Sequence, residues 1–72
     1  MNYKEFMTFM IFQEFNIQLE YILEEKEENN IATYQLKDEE NTEATLIINY
    51  NTNDYTIISG EYKEEKEFIL ID

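Results

Sequence analysis

From Phe6 to Phe15 apolar side chains recur at three- and four-residue spacing: Phe6, Met7 and Met10, with Phe9 and Phe12 or Phe15. That spacing follows the 3.6-residue period of an α-helix, and it predicts one over residues 2–15. Asn2 suits the N-cap, because its side-chain oxygen can accept a free first-turn N–H. Lys4 and Glu5 are polar first-turn residues. The apolar stripe is broad, which implies burial on more than one side, with the methionines filling gaps in a core.

From Asn16 the period changes. Ile17, Leu19, Tyr21 and Leu23 alternate with Gln18, Glu20 and Glu24, interrupted by Ile22, which predicts a strand whose second face is partly covered. A second reading competes: Phe12, Phe15, Leu19, Ile22 and Leu23 also keep helical spacing, and the glutamates to Glu28 would continue a long helix. That helix would carry its acids at the C-terminal end, where the dipole disfavours them, so the strand is preferred. Asn29-Asn30 is a turn signal, and Ile31 to Leu36 is β-branched and aromatic. Ala44 to Tyr50 and Tyr55 to Ser59, joined by Asn51-Thr52-Asn53-Asp54, form the clearest hairpin. Gly60 ends that strand or makes a bulge, a charged connection follows, and Phe68 to Ile71 reads as a last short strand. The expected fold is α+β, a single domain over residues 1–72 with one N-terminal helix packed on an antiparallel meander sheet of four to five strands.

Charge changes the picture most. Seventeen acids face five lysines with neither arginine nor histidine, a formal charge of −12 over 72 residues. Such a balance favours disorder, but the chain is 43% hydrophobic with six tyrosines and five phenylalanines, which supports a folded core. Self-repulsion destabilises the compact state, so the charge is expected to serve either a positive partner or solubility. With no cysteine the chain suits a reducing cytoplasm, and thiol chemistry or a thiolate zinc site is excluded. The apolar run Phe6 to Phe12 is interrupted by Thr8, lies between Glu5 and Glu14, and falls far below the roughly 20 residues of a membrane span. It also lacks a basic leader and a cleavage site, so a soluble cytoplasmic protein is expected.

In a meander, alternate turns emerge at the same end of the sheet. One end is expected to gather Asp38, Glu39, Glu40 and Glu43 with Glu61, Glu64, Glu65 and Glu67, the candidate partner-binding acids. The other gathers a secondary patch of Glu24, Glu25, Glu27, Glu28 and Asp54. Carboxylates on one strand face repeat about every 6.7 Å, twice the roughly 3.4 Å axial spacing of phosphates along a DNA strand, and turn acids can fill the gaps. Such a surface can act as a decoy for a groove that binds phosphate with lysine and arginine. The plainer alternative is a set of solvated turns. Tyr34, Tyr50, Tyr55 and Tyr62 are candidate interface anchors or core residues.

Catalysis fits poorly. Glu39 with Glu40 and Glu64 with Glu65 are adjacent acids, and neighbours in a strand or turn point apart. No histidine, cysteine or arginine exists to assist them, and Ser59, the single serine, lacks a candidate partner. A calcium loop of the Asp-x-Asp-x-Asp-Gly kind is absent, so no metal site and no cofactor is expected. Direct nucleic-acid binding is opposed by like charge.

The stretch Leu46-Ile47-Ile48-Asn49-Tyr50-Asn51 through Asp54-Tyr55-Thr56-Ile57-Ile58-Ser59, followed by the acidic run Glu61 to Glu67, resembles the small acidic anti-CRISPR and DNA-mimic inhibitors encoded by phages, over about a third of the chain. The family continues into further helix where this sequence stops. The resemblance therefore carries over only to the acids after the hairpin. It implies a non-enzymatic inhibitor acting in the bacterial host cytoplasm during phage infection, whose partner is a basic nucleic-acid-binding protein such as a CRISPR effector nuclease. The alternative is a small acidic adaptor or scaffold that works through its apolar sheet face. Homodimerisation would help so small a core under either reading.

Overall fold

The computed structural model describes residues 2–59 and 63–67. Helix α1 spans Tyr3–Glu14, and Asn2 caps it from an extended conformation, its side-chain oxygen accepting the Glu5 N–H at 2.9 Å. The helix stops at Asn16, which takes the left-handed conformation at φ 54. There the Asn16 N–H donates to the Gln13 carbonyl at 3.2 Å and the Ile17 N–H to the Phe12 carbonyl at 2.8 Å. These paired bonds are those of a Schellman motif, with asparagine standing where glycine is more usual. Phe12 and Ile17, the residues such a motif brings together, both pack against the core.

The long-helix alternative is thereby excluded, and the strand expected from Ile17 begins later. Residues Leu19–Tyr21 form one turn of 3-10 helix, and β1 runs Ile22–Glu28. Its register is set from the far end by the turn at Asn29 and Asn30, both at positive φ, which places Glu28 opposite Ile31 and carries the pairing back to Ile22 opposite Leu36. Pairing through Glu24–Glu28 overrides the weak strand preference of glutamate, a preference that reflects context more than backbone. Residues 24–28 are therefore strand, and the acids expected as a patch at one end of the sheet lie along its edge.

The remaining strands are β2 (Ile31–Lys37), β3 (Glu43–Asn49), β4 (Asp54–Ser59) and β5 (Lys63–Glu67), in spatial order β1-β2-β3-β4-β5 and antiparallel throughout. The expected hairpin is β3–β4. The charged connection after it contains β5, which pairs from Lys63 opposite Ile58 to Glu67 opposite Asp54 and so covers an edge that β4 would otherwise leave open. Gly60 and the strand expected over Phe68 to Ile71 lie outside the described residues.

The helix packs on one sheet face. Met7 and Ile11 from α1 meet Ala32, Tyr34, Leu36, Ala44, Leu46, Ile48, Tyr55 and Ile57 in a core of alternate strand residues. Phe12 and Phe15 stand edge-on to Tyr34 and Tyr55, with ring centroids 5.3 and 5.6 Å apart. Burial of the helix is one-sided. Tyr3, Phe6, Phe9 and Met10 remain 40–48% exposed, where the breadth of the stripe implied cover on more than one side. A single sheet can cover only the arc of helix that faces it. The opposite sheet face, with Ile31, Thr33, Thr45, Ile47 and Thr56 half-buried and Ile58 exposed, has no described element packed over it. No helix among the described residues is long and apolar enough to cross a membrane.

Candidate functional site

No charged residue belongs to the buried set among the described residues, so the charge these residues carry lies where a partner can reach it. Strand register decides where. Asp38, Glu39 and Glu40 form the β2–β3 turn and Glu43 opens β3. The Asp38 carboxylate is committed to that turn, accepting the N–H groups of Glu40 and Thr42, both at 2.9 Å, while the Asn41 N–H closes the turn on the Asp38 carbonyl at 3.1 Å. Glu39 and Glu40 are exposed. Between this turn and the end of α1 lies a cleft of about 190 Å³ lined by Phe15, Tyr21, Leu36 and Ile57 with Asp38–Glu40 at its rim. Desolvation first, and then the Glu39 carboxylate, raise the pKa of the Tyr21 hydroxyl at this cleft.

Of the other acids expected at this end, those on β5 do not gather there. Glu64, Glu65 and Glu67 run along β5 away from the turn, opposite Ile57, Thr56 and Asp54, so Glu67 reaches the far end of the sheet. Glu61 lies outside the described residues. Of the secondary patch, Asp54 begins β4 beside Glu67, whereas Glu24, Glu25, Glu27 and Glu28 lie along β1 at the opposite edge. Three strand spacings of about 4.8 Å separate β1 from β4. The two clusters expected at the sheet ends are thus redistributed into acidic edges and one acidic turn.

β1 is the most continuous of these arrays. Every residue from Leu23 to Glu28 is exposed. Cross-strand partners share a face, so Glu25 and Glu27, opposite Tyr34 and Ala32, lie on the helix side, and Glu24 and Glu28, opposite Gln35 and Ile31, lie on the open face. Lys4 from α1 reaches Glu27 at 3.2 Å, donates to the Asn30 side-chain oxygen at 2.6 Å, and stands 5.3 Å from the centre of the Tyr50 ring.

Tyr50 is one of the four tyrosines that sequence reasoning left undecided, and the structure makes it a junction in the core. The Thr8 hydroxyl gives its one hydrogen to the Lys4 carbonyl at 2.8 Å, so the Tyr50 hydroxyl donates to the Thr8 oxygen at 2.6 Å. Its main-chain N–H donates to Asn30 at 2.9 Å and its carbonyl accepts from the Tyr3 hydroxyl at 3.3 Å. Beside it, the Tyr34 hydroxyl has its pKa raised well above the usual tyrosine value by burial first, then by Tyr50 and Glu25. Tyr55 is also core, donating to the Glu14 carboxylate at 3.0 Å. Tyr34, Tyr50 and Tyr55 are therefore buried, and Tyr62 lies outside the described residues.

A second concavity, of about 480 Å³, runs between α1 and β1 past Phe9, Phe12, Leu19 and Tyr34. The sequence pattern carried its signal as the surplus of apolar positions on α1, which exceeds what one sheet face can bury. Among the described residues, no group of three or more histidine, cysteine, aspartate or glutamate side chains is placed to hold a metal ion. No protein-family model, curated protein or solved structure matches the chain.

Proposed function

We propose that the protein is an acidic inhibitor that occupies the basic nucleic-acid-binding surface of a host nuclease or CRISPR effector and blocks access of the nucleic acid. The observation that carries this reading is the exposed acidic edge strand. Strand residues rise about 3.3 Å each, close to the roughly 3.4 Å per phosphate along one strand of DNA. Glu24, Glu25, Glu27 and Glu28 occupy four of five consecutive positions of β1, broken by Lys26. Carboxylates on the two faces of one strand interleave, which supplies the closer spacing that one face alone does not. Held by sheet pairing, they form a line of charge that a phosphate-binding groove can neutralise with release of counterions, and that a nuclease cannot cut.

The test is affinity capture from a low-GC bacterial lysate with elution in a salt gradient. The expected partner is a nucleic-acid-binding protein that salt releases and its own DNA or RNA displaces, and that no longer binds when Glu24, Glu25, Glu27 and Glu28 are replaced by lysine. A partner without a basic groove, or a complex indifferent to salt, refutes the reading. The second reading, a non-enzymatic adaptor, is favoured by the uncovered sheet face, where Ile58 is 49% exposed beside half-buried Ile47 and Thr45. It predicts that Ile47→Lys or Ile58→Lys abolishes partner binding while reversal of the β1 acids leaves it intact.

A further inference from the structure

We propose that the open sheet face packs against the same face of a second copy of the chain, about a two-fold axis that runs along β3. Cross-strand partners share a face, so the register arranges this face in rows that run from β1 to β5. One row is Lys26-Thr33-Ile47-Thr56-Glu65 and the next is Glu24-Gln35-Thr45-Ile58-Lys63. Both rows are uncharged across their central positions and carry opposite charges at their two ends. Thr45 donates to the Gln35 side-chain oxygen at 2.9 Å, so these polar groups have partners before the face is covered. Leu23, 63% exposed, joins the centre beside Gln35, Thr45 and Ile58 around a shallow concavity of about 210 Å³.

Charge complementarity names the occupant and its orientation. A two-fold axis parallel to the strands lays β1 of one copy over β5 of the other and keeps each row over itself. Lys26 then lies over the position of Glu65 in the second copy and Glu24 over that of Lys63, each twice by symmetry. Ile47 and Thr45 lie over their own counterparts at the axis, and Thr33 lies over Thr56. At one end of the sheet Glu28 lies over Glu67 and Ile31 over Asp54, which sets two like-charged pairs against the four opposite ones. At the other end Glu43, in register with Lys37, lies over its own counterpart, so two acids and two lysines gather there. An axis across the strands fails by comparison. It sets Lys26 over Lys26, Glu65 over Glu65 and Glu24 over Glu28, and leaves only Lys63 with Glu67 as an attraction. Face-to-face sheets stack about 10 Å apart with strands aligned within about 30°, a gap that a lysine and a glutamate can span between them. Strands about 4.8 Å apart and rows about 6.7 Å apart give a footprint of about 400–500 Å² per copy, so about 800–1,000 Å² in total, the size of a weak interface. At about 0.15 M salt the Debye length of about 8 Å confines repulsion between the two acidic chains to charges near the contact.

The inference rests on neither reading of function and is tested on the full chain alone. Sedimentation equilibrium at neutral pH and about 0.15 M sodium chloride should show a mass that rises with concentration toward twice that of the chain, with a dissociation constant of about 10–100 μM. Lys26→Glu and Glu65→Lys should each weaken the dimer by about tenfold, because each change reverses both symmetry-related pairs. The variant that combines them should return to within about threefold of the parent. Glu65→Lys is the discriminating change, since it lowers the net negative charge and would tighten any association limited by bulk repulsion. Circular dichroism checks that each variant keeps the fold, and the exchange of Glu24→Lys with Lys63→Glu repeats the test in the neighbouring row. A mass that stays that of one chain up to about 1 mM overturns the proposal and leaves the face to another protein. Tighter association of Glu65→Lys overturns it as well, and so does a combined variant no stronger than the single ones, since either result excludes this axis. None of these outcomes bears on capture of a nucleic-acid-binding partner, which tests the inhibitor reading by itself.

Discussion

Replacing Tyr50 by phenylalanine removes one oxygen from the junction that fixes α1 to the sheet. The ring stays, so the core volume and the stacking beneath Lys4 are kept, and the loss is confined to the hydroxyl contacts with Thr8 at 2.6 Å and with the neighbouring Tyr34. A net intramolecular hydrogen bond contributes about 0.5–1.5 kcal/mol, and leaving a buried partner unsatisfied costs about 1–3 kcal/mol. Thr8 keeps its bond to the Lys4 carbonyl and is half-buried, so about 1–2 kcal/mol is expected for Tyr50→Phe. A chain of 72 residues at about 0.05–0.15 kcal/mol per residue has about 4–11 kcal/mol in total. The loss is therefore a visible fraction, and Tm should fall by about 4–8 °C for each kcal/mol. Urea denaturation followed by far-ultraviolet circular dichroism gives the number. The decisive comparison is a double-mutant cycle with Thr8→Val, where the coupling between the two sites should be about 1 kcal/mol. If Thr8→Val costs the same with and without the Tyr50 hydroxyl, to within about 0.3 kcal/mol, the junction does not hold the helix and the reasoning fails.

Asn16→Ala should destabilise by about 1–2 kcal/mol, since a Cβ without a polar tip is strained in the left-handed conformation, and Asn16→Gly should be neutral or stabilising; equal urea midpoints for both variants would refute the Schellman account. At high pH the raised pKa of Tyr34 means that the unfolded chain loses this proton first. Stability should therefore fall as pH rises above the ordinary tyrosine value of 10.0. Tyr34→Phe should lose less stability than the parent between about pH 9 and about pH 11, and an identical loss in both proteins would contradict this. Sodium chloride added from about 0.01 M to about 0.15 M, which shortens the Debye length from about 30 to about 8 Å, should raise Tm by screening the −12 net charge; a flat or falling Tm would show that repulsion is not limiting.

The sequence carried local structure wherever a short stretch decides its own conformation. The Asn2 cap and the helical period of residues 2–15 became α1, and two β-branched runs around Asn51 to Asn53 became the β3–β4 hairpin. Turn chemistry was also legible, since the described non-glycine residues at positive φ, Asn16, Asn29, Asn30, Asn41 and Asn53, are all asparagines. Asparagine visits the left-handed region at small cost, and a chain with one glycine and no proline has few other ways to turn. Asn16 and Asn41 were not read as turn residues, Asn16 because the helix-ending signal was sought in period rather than in the residue at the C-terminal cap.

Tertiary structure decided what local preference does not encode. Glu24–Glu28 and Lys63–Glu67 have little intrinsic reason to be strands, and they become the two edges because β2 and β4 offer backbone groups that need partners. That recruitment moved the acids from the sheet ends, where turn counting put them, to its edges. Likewise, sequence pattern marked Phe6, Phe9, Met10 and Leu19 as apolar, but only the placement of one helix on one sheet face left them exposed. Period and turn residues act over a few neighbours and can be read in order along a chain. Which surfaces remain uncovered depends on pairing between residues far apart in sequence, and that is settled only when the whole sheet has formed.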